Sequence, residues 1–480
     1  MRKSKKIVSM FLAFSMVFSL SACGNKNNNE NASTSAEPET STETEASAET
    51  STGAKTLEDG LTTIDQIELG TDYQDVSATI KLLTHRTDLV DNVFQDYIAK
   101  FKELYPNINV EYEGVTNYGD DITTRLSTSD WGDICMVPTS VEKQDLSSYF
   151  VSFGELDKLS EKYIMLNDKT YENQVYAIPS VGNVQGVVYN KKVFADAGIT
   201  ELPKTPDEFL DDLQLIKDNT DAIPLYTNFQ AQWTMGSWDA YIGGTSNGDA
   251  DYCNNQLVHG KNPFAKQDEM YGPYAVYYTL YESVARGLIE DDPTTTDWEG
   301  CKGMINNGEI GVIVLGSWAV VQFQEAGDHP DDIGYMPFPI SIDGKQYASA
   351  GPDYAYGINV NASLENQIAS MLYIKWLTEE SNFAYDQGGI PIVDGAAYPP
   401  VMEAFTDAEL VINNPAPEGE EGLYDTINTE SEVGLNIDNI PDCEILEHAL
   451  QGDMTLDEIM DEWNEKWTTA QEDNDVEILY

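Results

Sequence analysis

Short apolar segments separated by a helical stripe occupy the first part of the chain. Residues 79–84 and 108–112 have the alternation of apolar and polar side chains that is typical of half-buried strands. Between them, apolar residues recur at helical spacing from Val90 to Leu104. Residues 122–126 predict a second helix, and residues 133–137 predict a buried strand. This order of strand, helix, strand, helix, strand predicts a parallel sheet with right-handed crossovers.

The same alternation continues through the rest of the chain. The segment Thr205–Glu208 has the pattern of a capping box with proline at the first helical position, so a helix should begin there. Buried strands are predicted at residues 184–189 and 311–315, and a core helix at residues 368–377. The final helix carries Leu456, Ile459, Met460, Trp463 and Trp467 on one stripe. The whole pattern predicts an α/β fold.

The chain is long enough to need more than one core. It has 480 residues, of which 41% are hydrophobic and 10% are aromatic. Single cores seldom grow beyond roughly 250–300 residues. We therefore predict two lobes rather than one undivided body.

A basic and then apolar leader occupies the N-terminus. The segment Arg2–Lys6 holds four basic residues, and the uncharged run Ile7–Leu20 that follows is shorter than the roughly 20 apolar residues that span a bilayer. Leu20–Cys23 resembles the lipobox of bacterial lipoproteins, in which the cysteine is acylated and becomes the mature N-terminus. The sequence predicts a signal peptide over residues 1–22 and a lipidated Cys23, hence a protein anchored by lipid, such as palmitate, at the extracellular face of the plasma membrane.

A polar segment follows the lipobox. Residues 24–60 are rich in Asn, Ser, Thr, Ala and Glu and contain almost no large apolar residues. Such a segment cannot bury enough surface to offset its ordering entropy. Because folding signals begin only near residue 78, the sequence predicts a disordered tether over residues 23–74.

The charge of the chain excludes several kinds of partner. The formal net charge is −57, and it would be −61 without residues 1–22, which carry four positive charges and no negative ones. A chain this acidic repels phosphate backbones, so we exclude nucleic-acid binding. It also argues against a polybasic segment that would bind anionic lipid, so the acyl group remains as the predicted anchor.

Cysteine and histidine spacing gives no sign of a metal or cofactor. Beyond Cys23 the cysteines are far apart, at positions 135, 253, 301 and 443, and their pairing cannot be deduced from sequence. The histidines at 85, 259, 329 and 448 have no metal-ligand spacing. Residues 247–251 faintly suggest a calcium loop, but Tyr252 and Val258 stand where glycine and glutamate are needed. We predict neither a metal site nor a cofactor.

Three groups of residues follow one another in a fixed order after residue 75. The first is Val175–Pro179, then Gly186–Lys191, Phe194, Ala197–Ile199, Pro203–Thr205 and Phe209. The second is Asn307–Gly311 before Gly316–Trp318, and the third is Tyr356–Asn359 before Trp376–Thr378 and Gly388–Pro391. Together these groups resemble the family 1 extracellular solute-binding proteins, the carbohydrate-binding subunits of ABC importers related to maltose-binding protein.

The resemblance implies a fold and a division of the chain. The fold is the two-lobe, type II periplasmic-binding-protein-like α/β fold, in which each lobe has a mixed, mostly parallel sheet flanked by helices and a hinge joins the lobes. Lobe 1 would comprise residues 75–180 and 350–402. Lobe 2 would comprise residues 181–349 and 403–480.

The resemblance also implies a function. A monomeric solute-binding protein would capture a carbohydrate, by preference an oligosaccharide, in the cleft between its lobes and deliver it to the permease subunits of an ABC importer. The lobes would close on the ligand, as hinged binding proteins do. Closure requires that the ligand contact both lobes in the closed state.

Charged candidates for ligand contact follow from strand ends and from the family pattern. Ligands of open α/β sheets bind outside the carboxyl ends of strands, and Arg86 and Asp88 directly follow the first predicted strand. Their charges suit sugar hydroxyls, since charge-assisted hydrogen bonds are strong. Asp88 could instead cap the following helix. Asp133 stands at the family's Gly/Pro-Asp-(Ile/Val) position, where a purely structural carboxylate is the alternative.

Three further candidates lie where the chain would cross the hinge. Asn183 lies at the first crossing, and Asp353 and Tyr354 lie at the second, where the family often places ligand contacts. The resemblance implies that these side chains face the cleft.

Stacking faces for a pyranose ring are expected among the tryptophans that lie outside helical stripes. Trp233, Trp238, Trp298 and Trp318 have surroundings rich in Gly, Ser, Asn and Thr with no apolar period. Gly-Ser-Trp occurs at 236–238 and again at 316–318, so Trp238 and Trp318 are the predicted stacking residues. A loop tryptophan that only fills the interior of a lobe is the alternative.

Two other functions remain open at this point. A glycosidase needs two carboxyl groups at a set separation, but among 83 acidic residues a chance pair carries no information. The sequence has no nucleophile elbow, HExxH or P-loop, so we predict a binding protein and not an enzyme. Within the binding class, a peptide or a polyamine is the main rival to a sugar.

Overall fold

Strands and helices alternate through residues 53–129, 131–436 and 440–480, which are the residues that the computed structural model describes. The strands are β1 (Ala78–Thr84), β2 (Ile108–Gly114), β3 (Ile134–Met136), β4 (Gly154–Glu155), β5 (Thr170–Tyr171), β6 (Gln174–Val175), β7 (Ile178–Pro179), β8 (Gly182–Asn190), β9 (Ile223–Leu225), β10 (Ile310–Gly316), β11 (Ile333–Pro337), β12 (Ser341–Ile342), β13 (Lys345–Pro352), β14 (Ala355–Ile358) and β15 (Glu409–Ile412). Every strand predicted from the apolar pattern is present.

The α-helices confirm the helical stripes of the sequence. They are α1 (Val93–Leu104), α2 (Tyr118–Leu126), α3 (Leu146–Tyr149), α4 (Leu156–Leu159), α5 (Lys191–Ala197), α6 (Pro206–Asn219), α7 (Gly244–Asn247), α8 (Leu257–His259), α9 (Gly272–Ala285), α10 (Trp298–Asn306), α11 (Val320–Glu325), α12 (Leu364–Glu379), α13 (Phe383–Asp386), α14 (Leu423–Glu430), α15 (Ile440–Gln451) and α16 (Leu456–Asp473). The predicted helix at Thr205 begins as expected, because the Thr205 side chain accepts a hydrogen bond from the Glu208 amide at 3.3 Å.

The first sheet has the strand order β2-β1-β3-β14-β7. β1 is parallel to both β2 and β3, and β14 runs antiparallel between β3 and β7. All strands except β14 therefore point the same way, and the carboxyl ends of β1 and β3 lie at one edge together with the start of β14. The segment directly after β1 and the segment directly before β14 therefore lie at this same edge.

The second sheet has the strand order β12-β13-β8-β10-β9, with β11 also paired to β8 and β15 to β13. β8 is antiparallel to β10, β11 and β13, whereas β9 is parallel to β10 and β15 is parallel to β13. The sheet is mixed, and most of its strands share one direction. The expected architecture of mixed, mostly parallel sheets flanked by helices is confirmed.

The two sheets are joined where β8 begins. Gly182 pairs with Pro352 of β13 on one side and forms a bridge to Ile390 on the other. The chain thus passes between the sheets at three neighbouring places. Packing is close here, since a Cβ on Gly186 would lie 2.6 Å from the backbone oxygen of Met336. Glycine at this position lets β8 and β11 approach each other.

Apolar side chains form two large clusters. One contains strands β1–β3 and helix α12, including Trp376 at 4% exposure. The other contains α6, α9 and α16, including Trp463 and Trp467. These three tryptophans, which lie on the predicted helical stripes, are thus core residues.

The segment before β1 differs from its prediction. Residues 54–74 were assigned to a disordered tether, but Ile64 and Tyr73 are fully buried in the first cluster. The Ile64 amide donates to the Phe153 carbonyl at 2.9 Å, and Lys55 pairs with the Asp72 carboxylate at 2.9 Å. The tether assignment is therefore wrong for these residues. Residues from Ala54 to Tyr480 form one folded unit.

The leader, Cys23 and the rest of the predicted tether up to residue 52 lie outside the described residues. Within the described ranges, no helix combines the length and the apolar character needed to cross a membrane.

Candidate functional site

Arg86 lies at the carboxyl end of β1, as predicted. Its Nε and NH2 atoms donate to the two carboxylate oxygens of Asp88 at 2.9 and 2.7 Å, and NH2 also donates to the Gln387 side-chain oxygen at 3.0 Å. Burial raises the pKa of Asp88, but the hydrogen bond and charge of Arg86 outweigh burial and hold that pKa below its usual range. Asp88 does not cap α1, because Asn92 does so by accepting from the Val93 amide.

A group of rings lies beside this ion pair. The His85 ring centroid is 4.8 Å from that of Tyr354 and 5.9 Å from that of Tyr118. Nδ1 of His85 faces the Met136 sulfur at 3.2 Å. Burial lowers the pKa of His85, and the positive charge of Arg86 lowers it further. The carboxylates of Asp353 and Asp88 raise this pKa but do not outweigh burial. The imidazole is therefore a neutral, aromatic part of the edge at pH 7.

Asp353 and Tyr354 reach the same edge from the other direction along the chain. They precede β14, whose antiparallel orientation brings its start next to the ends of β1 and β3. The Asp353 carboxylate accepts from the Tyr354 amide at 2.7 Å and acts electrostatically on His85. Arg86, Asp88, Asp353 and Tyr354, predicted from two distant segments, thus lie together.

Three tryptophans form a second group at the carboxyl ends of β9 and β10. The ring centroids of Trp233 and Trp298 are 5.0 Å apart, and both rings lie within 5.9 Å of Trp318. Trp233 is 47% exposed, and the other two are partly exposed. Planar apolar faces that remain open to solvent are unusual for tryptophan and favour ligand stacking.

Trp318 is held by the turn that ends β10. A Cβ on Gly316 would lie 2.7 Å from the indole nitrogen of Trp318, so glycine lets the ring fold back over the strand end. Ser317 donates from its hydroxyl to the Asn183 side-chain oxygen at 3.3 Å and accepts from the Val184 amide at 3.1 Å. Asn183 thus lies at the start of β8, next to the segment that carries Trp318.

The segments that carry the two groups come close at one place. Gln387, which holds Arg86, precedes Gly388, and a Cβ on Gly388 would lie 2.9 Å from a side-chain methyl of Val321 in α11. Val321 follows Trp318 by three residues. The segment that holds Arg86 therefore packs against the helix that follows Trp318.

Asp133 does not belong to either group, contrary to prediction. It precedes β3, so it lies at the amino end of that strand, away from the edge that carries Arg86. Its carboxylate accepts from the Lys81 amide and from the Asn366 side chain, both at 2.8 Å. It lines a separate cavity of about 630 Å³ together with Lys81 and Arg125. These hydrogen bonds connect β1, β3 and α12.

Trp238 also does not belong to either group, contrary to the prediction that it is a stacking residue. It is 2% exposed and packs edge-on against Phe338 with ring centroids 5.8 Å apart. The turn Met235–Ser237 directs its indole into the second apolar cluster. The second Gly-Ser-Trp tripeptide, at a strand end, leaves its tryptophan partly exposed, whereas the first buries it.

Sequence reasoning did not select several residues of the two groups. They are His85, Tyr118, Gln387, Trp233 and Trp298. Trp233 and Trp298 have the same local composition as Trp238, so composition could not separate exposed rings from buried ones. Tyr118 and Gln387 are distant in sequence from Arg86 and give no local signal.

The site offers side chains for binding rather than for metal chemistry. Among the residues that the structure describes, no group of three or more His, Cys, Asp or Glu side chains is arranged to hold a metal ion. A guanidinium, two carboxylates, an amide and a phenol provide donors and acceptors for hydroxyl groups. The indoles provide flat apolar faces.

Comparisons with known proteins identify the family. The family model described as bacterial extracellular solute-binding protein matches residues 88–382. A multiple sugar-binding protein of Streptococcus mutans is 23% identical over 355 residues, which are 69% of this chain and 81% of that protein.

Two solved structures are more similar. BlMnBP1 of Bifidobacterium animalis subsp. lactis, a binding protein of an ABC transporter in complex with mannobiose, is 48% identical, with a TM-score of 0.79 and coverage of 86% of this chain and 99% of that one. BlMnBP2 of the same organism, a manno-oligosaccharide-specific solute-binding protein in complex with mannotriose, is 45% identical with the same TM-score of 0.79 and the same coverage of 86% and 99%. These relatives are binding proteins and not enzymes, which confirms the predicted class. The chain belongs to the bacterial extracellular solute-binding protein family.

Proposed function

We propose that the protein captures a manno-oligosaccharide between the Arg86 group and the three tryptophans and delivers it to an ABC importer. The observation that carries the proposal is a cluster of partly exposed indoles at the second sheet, on a segment that packs against the segment holding Arg86 at the first. A sequence identity of 48% to a binding protein solved in complex with mannobiose supports the choice of sugar.

The two groups have complementary chemistry for a sugar. A pyranose has an apolar face that stacks on an indole and a rim of hydroxyls that exchange hydrogen bonds with charged groups. Trp318, with Trp233 and Trp298, would supply the stacking surface. Arg86, Asp88, Asp353, Tyr354 and Asn183 would contact the hydroxyls.

Binding by closure accounts for the division of the chain between the two larger sheets. We place lobe 1 at residues 75–180 and 350–402, with residues 54–74 packed on it, and lobe 2 at residues 181–349 and 403–480. A ligand that touches both groups favours the closed state over the open one, since only differential affinity shifts such an equilibrium.

The proposal includes a location outside the cell. An extracellular family supports export, and the Leu20–Cys23 lipobox supports an acyl anchor at Cys23. The folded unit would act as a monomer at the outer face of the plasma membrane and pass its sugar to the permease subunits. Metabolic labelling with a fatty-acid analogue tests the anchor: Cys23→Ser should abolish labelling, and a labelled variant would contradict it.

Calorimetric titration tests the ligand. Mannobiose and mannotriose should give saturable heats, and a panel of other glycans should bind more weakly or not at all. If no glycan gives a binding heat but peptides or polyamines do, the proposal is contradicted. Chromatography of the recovered sugar separates binding from hydrolysis, since a binding protein returns the glycan intact after long incubation.

A further inference from the structure

Trp233 lies on a segment with little regular structure to hold it. We call residues 226–234, which follow β9, the tryptophan loop. Apart from a short 3₁₀ turn at Phe229–Ala231, it has no helix or strand, and Asn228 and Gln232 have left-handed backbone angles with φ of 57° and 55°. Such a loop needs contacts from elsewhere to fix its aromatic side chain.

Those contacts begin with a buried glutamate. Ile289 forms a parallel bridge with Leu225, which places Glu290 beside the start of the tryptophan loop. One Glu290 carboxylate oxygen accepts from the Thr227 amide at 2.9 Å, and the other accepts from the Thr227 hydroxyl. Both oxygens of the carboxylate are therefore committed to one residue of the loop.

The segment that begins at Glu290 leads to a second tryptophan, Trp298. The Thr296 hydroxyl accepts from the Gln230 amide at 2.9 Å, and the Tyr226 hydroxyl accepts from the Asp297 amide at 2.9 Å. Trp298 then begins α10. The contacts that fix the tryptophan loop are thus continuous with the residue that Trp233 packs against at 5.0 Å.

The charge of Glu290 makes this link strong. Glu290 is 7% exposed, and Arg286, four residues before it in the chain, pairs with Glu282 instead. Burial raises the pKa of Glu290, and the two Thr227 donors oppose that shift. Because a buried carboxylate is costly without donors, folding favours the loop conformation that supplies them.

We propose that Glu290 is a positioning residue that fixes the tryptophan loop and so sets the angle between Trp233 and Trp298 in the stacking surface. Its role in affinity rests on the function proposed above, but its effect on the indoles does not. Glu290 touches no ligand in this proposal and acts through Thr227.

Circular dichroism of the ligand-free protein tests the positioning directly. Indoles in contact couple excitonically and give a paired far-ultraviolet band, which Trp233→Phe should weaken to the part that Trp298 and Trp318 still contribute. Glu290→Ala should weaken the band in the same way. Glu290→Gln should retain it, because the amide can accept from the Thr227 amide and donate to the Thr227 hydroxyl. Glu309→Ala is the matched control, since it removes an exposed carboxylate at the far end of β10 and should change nothing.

Affinity is the second readout. Glu290→Ala should bind mannotriose about tenfold more weakly, as for a lost charge-assisted hydrogen bond, with Glu290→Gln close to wild type. Thr227→Val keeps the glutamate and should weaken the band and the affinity in the same direction, which keeps the test open if Glu290→Ala unfolds. An unchanged band in Glu290→Ala or Thr227→Val would overturn the positioning role. If wild type binds no manno-oligosaccharide but the band responds as expected, the ligand proposal fails and the positioning role stands.

Discussion

Trp318 presents the aromatic face that the proposed ligand would cover. Its ring is partly exposed, and Gly316 lets it fold over the end of β10. We expect Trp318→Ala to weaken binding of mannotriose about tenfold or more, since stacking and the apolar area it buries are both lost. Calorimetry measures the change. Tyr480→Ala, which removes an exposed ring at the C-terminus, is the control, and equal affinity of Trp318→Ala and wild type would argue against stacking.

Two carboxyl groups, those of Asp239 and Asp442, are buried beside the second apolar cluster. Asp239 and Asp442 are 2% and 0% exposed, and Asp239 accepts from the Tyr277 hydroxyl at 2.8 Å and from the Asn436 amide at 2.6 Å. Burial raises the pKa of both carboxyls, and for Asp442 the neighbouring Asp239 charge raises it further. Neither carboxylate oxygen of Asp442 has a hydrogen-bond partner in the structure, so burial beside the Asp239 charge favours a protonated carboxyl where exposed carboxyls have lost their proton.

This pair predicts a pH dependence of stability. The unfolded chain releases the carboxyl proton near pH 4, whereas the folded chain keeps it to higher pH. The free energy of unfolding therefore falls as pH rises from the pKa of the unfolded state to that of the folded state. Asp442→Asn needs no proton, so we expect it to be more stable than wild type at pH 8 by about 1–3 kcal/mol, with little difference at pH 4. Urea denaturation at both pH values measures this. If the free energy of unfolding depends on pH in the same way in both proteins, the folded wild type holds no such proton.

Prediction from sequence succeeded for elements with a clear period. Strands β1 and β2 and helices α1 and α16 are present because their apolar residues share one face and must be buried together. Strand β10 and helix α12 are present because their continuous apolar runs are buried on all sides. Residues 54–74 were missed because they have no period. Ile64 and Tyr73 are buried through contacts with distant residues, which no local pattern records.

The chain order of strands decides which of the predicted residues lie together. Arg86 follows a parallel strand and therefore lies at the same edge as Asp353, whereas Asp133 precedes one and lies at the other end. Which of four similar loop tryptophans stays exposed depends on the turn that carries it, as the burial of Trp238 and the exposure of Trp233 illustrate.

Helix α12 carries a charge network that fixes its neighbours. Lys375 is 3% exposed and donates to Glu379 at 2.6 Å, while Lys162 pairs with the other oxygen of Glu379 at 2.7 Å and the Tyr163 hydroxyl also donates to it. One carboxylate thus connects α12 to the segment at residues 162–163.

Removal of that carboxylate should destabilise the first sheet. Glu379→Ala leaves Lys375 buried without its partner, so we expect a loss of about 3–5 kcal/mol in the free energy of unfolding. Urea denaturation measures the loss. Glu380→Ala, at an exposed neighbouring position, should change little, and the double variant Lys375→Met with Glu379→Leu should recover much of the stability. A Glu379→Ala protein as stable as wild type would show that the network contributes nothing.

At the scale of the whole molecule, the three neighbouring passages between the sheets suit a hinge. A ligand that contacts both groups should shift the molecule to a closed state. We expect mannotriose to reduce the radius of gyration in small-angle X-ray scattering. Trp318→Ala should need more sugar for the same change, and an unchanged radius at saturating mannotriose would exclude closure by the ligand.

The crystal structure of the mannotriose complex tests most directly whether the ligand lies between the two sheets. We expect the sugar to stack on Trp318 and to exchange hydrogen bonds with Arg86 and Asp353 within one bound molecule. Electron density for the sugar at any other surface, or in contact with only one of the two groups, would contradict binding in the cleft.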